Sequence, residues 1–328
     1  MSIKKMYNSL RYKNSQFIFY AKSFLRYVTP SFLFRGKLEK ILASLPQRDQ
    51  DYVLERVDYY NKMKTPWLSS FDKVALRDFR LPWRETSYFF DAFEYTRFFP
   101  NNLEIAYQWG DITDLMPVPT IVKSRPIHGE NATSVLLKLN KNRHFVFVKD
   151  KNKFQDKKDM LIGANKLFTS NRIKFWEMYS KHPRCEVVWF HRGNVPGELE
   201  DHKKWVKPFV TVGEQLKYKF ILCLEGHDVA TNLKWVMSSN SLAVMPRPTY
   251  ETWFMEGKLI PNYHYVEIKP DYSDLIERMD HYASHPKESL RVIENANKYV
   301  EQFQNHKRET LISLLVLKKY FNLTAAPA

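Results

Sequence analysis

The sequence predicts an α/β protein of two domains, each with a parallel β-sheet covered by helices. Apolar, strand-like runs alternate with helix-like segments both before and after a charged stretch at residues 149–159. This alternation favours parallel sheets, because neighbouring parallel strands need a crossover connection that is usually a helix. The charged stretch lacks apolar periodicity, which is typical of a domain boundary. We therefore expect domains over residues 1–155 and 156–328, with the last helices free to pack back on the first domain.

The first half predicts short elements separated by prolines and aromatic residues. Residues 36–63 are predicted as helical with a break at Pro46, and residues 66–100 as irregular. The remaining elements predicted here are strands at 103–111 and 120–126, a short helix at 134–141 and a strand at 144–150.

The second half shows the alternation more clearly. The predicted strands lie at 159–164, 185–191, 219–226, 241–246 and 264–268. The predicted helices lie at 171–182, from about Asp228 through 229–239, at 273–285, at 287–305 and near 307–321, and a polar loop is expected at 191–204.

The charge and cysteine content narrow the possible classes of protein. Lysine and arginine number 51 against 36 acidic residues, a formal charge of +15, which favours nucleic acid, an anionic membrane surface or a phosphorylated substrate without choosing among them. Cys185 and Cys223 have no metal-ligand spacing and fit free thiols in a reducing compartment. The sequence shows no signal-peptide pattern and no run of the roughly 18 apolar residues that a membrane span needs, so a cytoplasmic protein is predicted.

The N-terminal segment at residues 3–40 is basic and aromatic. Its only acid is Glu39. A segment of this composition is able to lie on an anionic membrane surface. The alternative is a helix docked on its own domain with a solvated basic face. The basic residues are Lys4, Lys5, Arg11, Lys13, Lys22, Arg26, Arg35, Lys37 and Lys40, and between them lie Phe17, Phe19, Tyr20, Phe24, Leu25, Tyr27, Phe32 and Phe34.

The stretch at residues 217–246 contains the pattern of an anion site. An apolar strand ends in Gly226, and a helix is predicted from about Asp228. A strand–turn–helix unit directs backbone N–H groups and the positive end of the helix dipole to the carboxyl edge of a parallel sheet, where ligands usually bind. Thr231, Asn232 and Lys234 add groups suited to a diphosphate. The alternative is an ordinary turn in which Asp228 caps the helix.

Several motifs in this region together resemble glycosyltransferase family 90, which includes Rumi-type protein O-glucosyltransferases, fungal capsule-associated proteins and bacterial lipopolysaccharide core glycosyltransferases. The resemblance rests on the run from Lys217 to Leu275 and extends more weakly upstream to about residue 100. The sequence DVATNLKW at residues 228–235 is closer to the bacterial branch of the family. The matching elements are the KYKF strand, the glycine turn, Ser-Asn-Ser at 239–241, Pro-x-x-His-Tyr at 261–265 and DYSDL at 271–275.

The resemblance implies a GT-B fold, with two Rossmann-like domains, an interdomain cleft and the nucleotide sugar on the C-terminal domain. It implies an inverting transfer of a hexose from a UDP-sugar, without a metal, to a lipopolysaccharide or lipooligosaccharide core acceptor. With the basic surface, it also implies peripheral association with the cytoplasmic face of the inner membrane.

Carried onto this sequence, the family pattern assigns the general base to Asp111, which follows the predicted strand at 103–111. Asp114 is the rival carboxylate, and the alternative for Asp111 is a turn residue beside Gly110.

For the diphosphate, the resemblance implies a binding region drawn from two loops, with Arg172 as the charged group of the first. The alternative for Arg172 is a solvated arginine at a helix start. Two positions depart from the family, because Ile162 and Asn232 stand where arginines are expected, and Lys166 is a conceivable substitute for the first. The full set is Gly163, Ala164, Arg172, Gly226, His227, Asp228, Val229, Ala230, Thr231, Asn232 and Lys234.

Further residues are weaker candidates for a catalytic or binding role. Arg125 is a candidate for contact with donor or acceptor, or for a structural salt bridge. His264 matches a family position, but a histidine between aromatic residues is more often packed than catalytic. Glu251 and Glu256 suit sugar hydroxyls, whereas the neighbouring Trp253 and Phe254 are more typical of a core.

Two other functions remain open from the sequence. One is a non-catalytic relative that binds sugar nucleotide without turnover, suggested by the two missing arginines. The other is a basic nucleic-acid-binding protein, suggested by the charge and the interleaved aromatic residues. The sequence contains no recognisable nucleic-acid-binding motif, so we expect no nucleic-acid partner.

Overall fold

The computed structural model of the chain describes residues 12, 14–43, 49–166, 169–190, 206 and 208–325. The polar loop predicted at 191–204, Pro46 and the basic residues Lys4, Lys5, Arg11 and Lys13 lie outside these residues. The helices are α1 Gln16–Val28, α2 Phe32–Arg35, α3 Leu38–Leu42, α4 Gln50–Tyr60, α5 Thr86–Thr96, α6 Lys141–His144, α7 Ser170–Tyr179, α8 Val212–Gln215, α9 Leu233–Met237, α10 Leu275–Ser284, α11 Pro286–Glu301 and α12 His306–Thr324. The strands are β1 Val74–Ala75, β2 Glu104–Ile105, β3 Tyr107–Gln108, β4 Thr120–Val122, β5 Ser124–Pro126, β6 Ser134–Leu136, β7 Lys158–Asn165, β8 Cys185–Trp189, β9 Tyr218–Leu222, β10 Leu242–Met245, β11 Tyr250–Thr252 and β12 Val266–Glu267.

The chain divides into two compact units, and the boundary in the middle of the sequence falls between Arg143 and His144. This is earlier than the boundary expected at residue 155. The reason is that the charged segment is bonded into the second unit: the Asp150 carboxylate accepts hydrogen bonds from Lys157 and from the backbone N–H of Asn240. Of the described residues, the first unit contains those of 15–143, 249–257 and 303–325, and the second contains those of 144–248 and 258–302 together with Tyr12 and Asn14.

The first unit contains short strands. Strands β3, β4 and β6 form a parallel sheet with β4 in the middle, whereas β1 pairs with β2 and β5 pairs with β11 in antiparallel ribbons. The single strand predicted at 120–126 is therefore two strands in different sheets, and the break between them falls at Lys123.

Two predictions for the first half of the sequence were wrong. Residues 134–136 form a strand rather than a helix, because Val135 and Leu136 are fully buried in a parallel ladder with β4, and this pairing outweighs the helical propensity of the run. The strand predicted at 144–150 is absent, since residues 141–144 form the short helix α6 and residues 145–150 have no regular structure.

Helix α5 lies in a stretch that was predicted as irregular. Its side chains Tyr88, Phe89, Phe90 and Tyr95 are buried, so the aromatic residues form much of the core of this unit. Because apolar residues occur around most of its circumference, the helix has no clear polar face, and the amphipathic pattern that identifies surface helices is missing.

A buried ion network joins the last helix to the rest of the first unit. The Glu309 carboxylate of α12 accepts hydrogen bonds from Arg56 of α4 at 2.5 Å, Lys138 at 3.0 Å and the indole N–H of Trp253 at 2.6 Å. The two cations and the carboxylate are nearly inaccessible to solvent. Removal of one member would therefore leave buried charge without its partner.

The second unit is built on a five-stranded parallel sheet in the order β12-β10-β9-β7-β8. Its strands correspond to the five predicted from apolar runs. The sheet packs against α7, α10 and α11 through a continuous apolar cluster, formed by residues such as Leu161, Trp176, Phe220, Val244 and Tyr282. Both the strand order and the apolar faces are those of a sheet covered by helices.

One helix of the second unit differs from its prediction. Helix α9 begins at Leu233 and not near Asp228, and it is only five residues long. The side-chain amide of Asn232 donates to the carbonyl oxygen of Leu222, so that residue ties the preceding turn to strand β9. Asp228 is consequently not the helix cap.

The α/β class with parallel sheets is confirmed, whereas the GT-B arrangement stays a prediction. In the described part of the chain, no helix has both the length and the apolar character required to cross a membrane.

Candidate functional site

The first candidate region lies beyond the carboxyl ends of β3 and β4. After β3 the chain turns at Gly110, whose φ of +104° favours glycine, and then reaches Asp111. Lys123 directly follows β4, and its ammonium group donates to Oδ1 of Asp111. Since β3 and β4 are parallel neighbours, the ion pair lies at the edge of the sheet where α/β proteins usually bind ligands.

The ion pair is exposed on one side only. The Lys123 side chain is 2% exposed, whereas that of Asp111 is 26% exposed. The ammonium group thus approaches the carboxylate from the interior, while the carboxylate remains accessible to solvent. Asp114, the rival carboxylate, is exposed on the surface.

Aromatic rings surround this edge of the first unit. Trp109 stacks on Tyr107 with ring centroids 4.4 Å apart and on Tyr88 at 6.0 Å. The Tyr88 hydroxyl accepts a hydrogen bond from Asn140 at 3.3 Å, and burial is the main cause that raises its pKa. Carboxylate and aromatic faces together suit a carbohydrate, which presents both hydroxyl groups and apolar C–H faces.

The second candidate region lies at the carboxyl edge of the sheet in the second unit. The Arg172 guanidinium of α7 donates to the carbonyl oxygens of Leu224 at 2.8 Å, Glu225 at 3.1 Å and Lys166 at 3.0 Å. These carbonyls follow strands β9 and β7, which are neighbours in the sheet. Arg172 is buried, so the alternative of a solvated arginine is wrong. Its charge lies at the junction of two strand ends.

The turn after β9 presents only part of its residues to solvent. The N–H of Gly226 donates to the carbonyl oxygen of Asp228 at 2.9 Å, which closes the turn. His227 is exposed, and Gly226, Thr231 and Asn232 are partly exposed. The side chains that point into the protein are those of Asp228, Val229, Ala230 and Lys234. The exposed part of the turn is therefore formed by Gly226, His227, Thr231 and Asn232.

Gly163 and Ala164 lie within strand β7, before its last residue Asn165. A Cβ atom on Gly163 would come within 2.9 Å of a methyl carbon of Leu222 and 3.4 Å of the Trp176 ring. Close packing between strand and helix thus explains the glycine at this position.

The weaker candidates of the first unit are structural. Arg125 and Glu251 form a fully buried ion pair at 2.8 Å across β5 and β11. Glu256 accepts hydrogen bonds from the backbone N–H and hydroxyl of Thr252. The neighbouring core residues are Trp253 and Phe254.

His264 of the second unit is also a structural residue. Its Nδ1 accepts a hydrogen bond from the backbone N–H of Ile260 at 2.9 Å, its ring packs on Tyr299, and burial lowers its pKa.

The structure brings the predicted residues together in two groups. Arg172 contacts the turn that contains Gly226, and Asp111 pairs with Lys123, a residue that the sequence did not identify. The signal for Lys123 was its position as a charged residue inside the strand-like run TIVKSRP, where a buried charge needs a partner. Over the described residues, no three His, Cys, Asp or Glu side chains are grouped so as to hold a metal ion.

Comparisons with known proteins give a consistent family. The model described as Glycosyl transferase family 90 matches residues 144–326. An O-glucosyltransferase LpsA of Dichelobacter nodosus is 39% identical over 269 residues, which make up 82% of this chain and 82% of that protein. An uncharacterized protein 179R of Invertebrate iridescent virus 6 is 29% identical over 124 residues, 36% of this chain and 10% of the viral protein. Among solved structures, the C-terminal domain of a group 1 family glycosyl transferase (LpcC) of Francisella tularensis is 14% identical, covers 48% of this chain and 94% of that one, and has a TM-score of 0.34.

Proposed function

Because the chain belongs to glycosyl transferase family 90, we propose that it is an inverting enzyme that transfers a hexose from a UDP-sugar to a lipopolysaccharide or lipooligosaccharide core acceptor. The name of the D. nodosus relative states glucose transfer to oxygen, which makes UDP-glucose the first donor to test. We assign the acceptor to the first unit and the nucleotide sugar to the second.

The observation that carries this proposal is the one-sided exposure of the Asp111–Lys123 pair. In the proposed reaction the acceptor hydroxyl attacks the anomeric carbon of the sugar, the bond from that carbon to the UDP oxygen breaks, and Asp111 takes the hydroxyl proton. A general base must be ionised and must reach the hydroxyl. Lys123 supports the first requirement by its charge, and the partial exposure of Asp111 supports the second.

The departing UDP carries the negative charge that develops in the reaction. We propose that Arg172 and backbone N–H groups of the turn from Glu225 to Asn232 stabilise it, since fixed positive charge and backbone N–H groups are effective at a developing anion. The contacts of Arg172 with Leu224 and Glu225 support this assignment, because they hold its charge beside the turn. These groups take the place of the two family arginines absent at Ile162 and Asn232, and we propose that no metal ion is needed.

A lipid-linked core acceptor also places the enzyme at an anionic membrane surface. The charge of +15 supports peripheral association with that surface, because the protein is then attracted to the phosphorylated groups of lipid and inner core.

The Asp111→Asn substitution tests the catalytic assignment. It removes the base but keeps the shape of the side chain, so we expect kcat to fall about 10²–10⁴-fold. The transfer assay uses UDP-glucose and purified core acceptors, with and without a chelator, and NMR of the product reports the anomeric configuration. Asp114→Asn is the matched control and should retain wild-type activity. Thermal shifts should show that UDP stabilises all three proteins.

The outcomes separate the alternatives. An active Asp111→Asn protein would contradict the assignment of the base. Stabilisation by UDP without transfer by the wild type would indicate a non-catalytic relative. Indifference to UDP, together with salt-sensitive binding to DNA or RNA, would indicate a nucleic-acid-binding protein.

A further inference from the structure

Helix α1 is held to the first unit by one of its faces. The Tyr27 ring packs edge-on against Phe89 and Phe93 of α5 at centroid distances of 5.7 and 5.4 Å. Arg26 forms an ion pair with Glu94 of the same helix at 2.6 Å. Ring packing and an ion pair on the same side fix the rotation of α1, so its opposite face is directed to solvent.

That opposite face is apolar. Phe17 is 81% exposed, Leu25 is 66% exposed, and Ile18, Phe24 and Val28 are each more than half exposed. The five positions are separated by one, seven, eight and eleven residues from Phe17, which places them on one side of a helix of 3.6 residues per turn. We call these five residues the outer face.

The apolar surface continues after the helix. Phe32 is 67% exposed, and Leu33 beside it is also exposed. Single exposed apolar residues are ordinary on a protein surface, but a contiguous set of large ones marks a site that another surface covers.

The charges around the outer face indicate what covers it. Residues 15–43 contain one acid, Glu39, which forms an ion pair with Lys318. The basic residues of the same range are Lys22, Arg26, Arg35, Lys37 and Lys40. An amphipathic helix with an apolar face and basic neighbours is the kind that lies in the plane of an anionic membrane. A second copy of this face would bring like charges together, which disfavours self-association.

We propose that the outer face of α1 inserts into the interfacial region of an anionic lipid bilayer, with Lys22, Lys37 and Lys40 over the lipid headgroups. This rests on the membrane association proposed above and gives it a location in the molecule. Its test requires no transferase activity. A failure of the proposed docking surface would therefore leave the catalytic assignment unaffected, and the reverse also holds.

Vesicle flotation of the full chain tests the proposal. The wild type should bind vesicles of phosphatidylethanolamine with phosphatidylglycerol, and Phe17→Ser combined with Leu25→Ser should weaken this binding at least about tenfold, because two large apolar side chains are lost from the lipid. Met178→Ser combined with Leu290→Ser is the matched control, since it removes two exposed apolar side chains from the second unit. That control should bind as the wild type does.

The headgroup contribution is tested separately. Lys22→Gln, Lys37→Gln and Lys40→Gln in one protein should lower binding to the anionic vesicles, by up to about fivefold for each lysine near the surface. Binding to phosphatidylcholine vesicles should be weak for every variant.

A labelled variant reports insertion even if the double serine variant folds poorly. Cys185 and Cys223 are buried, and burial raises the pKa of the Cys185 thiol to about 12 and that of the Cys223 thiol further, so an introduced exposed cysteine reacts selectively. A polarity-sensitive fluorophore on Phe24→Cys should shift to the blue with anionic vesicles, and the same label on Leu290→Cys should not.

Three results would overturn the proposal. The first is equal vesicle binding by the wild type and the double serine variant. The second is no spectral shift from the label on Phe24→Cys. The third is a wild-type dimer in solution that the serine variant disrupts, without vesicle binding, which would assign the outer face to a second copy of the chain.

Discussion

The two units use different interactions to hold their sheets in place. In the second unit, five parallel strands, the longest of eight residues, share one apolar cluster. In the first unit, no described strand exceeds three residues, and several ion pairs are buried, such as those of Glu309 with Arg56 and of Glu251 with Arg125. Short ladders have few hydrogen bonds to set their geometry. Buried charges therefore contribute more to the geometry of the first unit, and close packing contributes more to that of the second.

The largest stability effect is expected from Glu309→Gln. This change leaves Arg56 and Lys138 buried without their carboxylate, and such a loss costs about 3–5 kcal/mol of unfolding free energy. Chemical denaturation measures the loss, and hydrogen exchange should locate it in α4 and α12.

The matched control is Glu294→Gln, which removes an exposed i,i+4 ion pair with Lys298 on α11. No measurable change in the free energy of unfolding is expected for this variant. Equal effects of the two substitutions would show that buried charge does not dominate the first unit.

A second prediction concerns pH. Burial raises the pKa of Asp91 to about 6 from 3.8, despite its ion pair with Lys141. The folded protein therefore binds a proton more tightly than the unfolded chain, and this group stabilises the fold less as pH rises from about 4 to 6. The destabilisation caused by Asp91→Asn, relative to the wild type, should shrink by about 2 kcal/mol over that range.

Glu94 should show the opposite sign although it shares the partner Lys141. Burial alone would raise the pKa of Glu94, but the charges of Lys141 and Arg26 outweigh burial and lower it. Its stabilising contribution is present at neutral pH and is lost as pH falls through the lowered pKa. Chemical denaturation of the wild type, Asp91→Asn and Glu94→Gln across the acid range measures how the free energy of unfolding depends on pH in each protein. If the two substitutions changed this dependence in the same direction, the opposite pKa shifts of Asp91 and Glu94 would be contradicted.

The smallest effect is expected from Gly163→Ala in the second unit. The added methyl group would come within 2.9 Å of Leu222 and should cost about 1–3 kcal/mol through overpacking. In a Leu222→Ala background, which removes the clashing methyl group, the same Gly163→Ala substitution should cost less free energy of unfolding than it does in the wild type. Gly36→Ala, where the new methyl group meets nothing within 4 Å, is the control. If Gly163→Ala were neutral, packing would not explain this glycine.

The sequence predictions also differ between the two units, and they were more successful in the second unit than in the first. The strands of the second unit, such as β9 and β10, were predicted because each contains a continuous apolar run that is buried on both faces, a local pattern. In the first unit, β6 was predicted as a helix, since its identity depends on pairing with β4, a contact that sequence periodicity does not reveal.

In the candidate site too, local motifs were predicted from the sequence, whereas long-range contacts were not. The turn at Gly226 and the charged residue Arg172 were identified from motifs, and the structure places Arg172 in contact with that turn. Neither the burial of Arg172 nor the start of α9 at Leu233 was predicted, because both depend on side chains that bond to distant carbonyl groups.

The sequence by itself determined the α/β class, the apolar strands of the second unit, the family and the basic, aromatic character of the N-terminal segment. These properties depend on residue types at short spacing. The tertiary structure decided that Lys123 pairs with Asp111, that α1 turns one apolar face away from α5, and that Glu309 pairs with two buried cations. Each of these depends on groups that are distant along the chain or on the face by which a helix packs, and only the folded chain defines them.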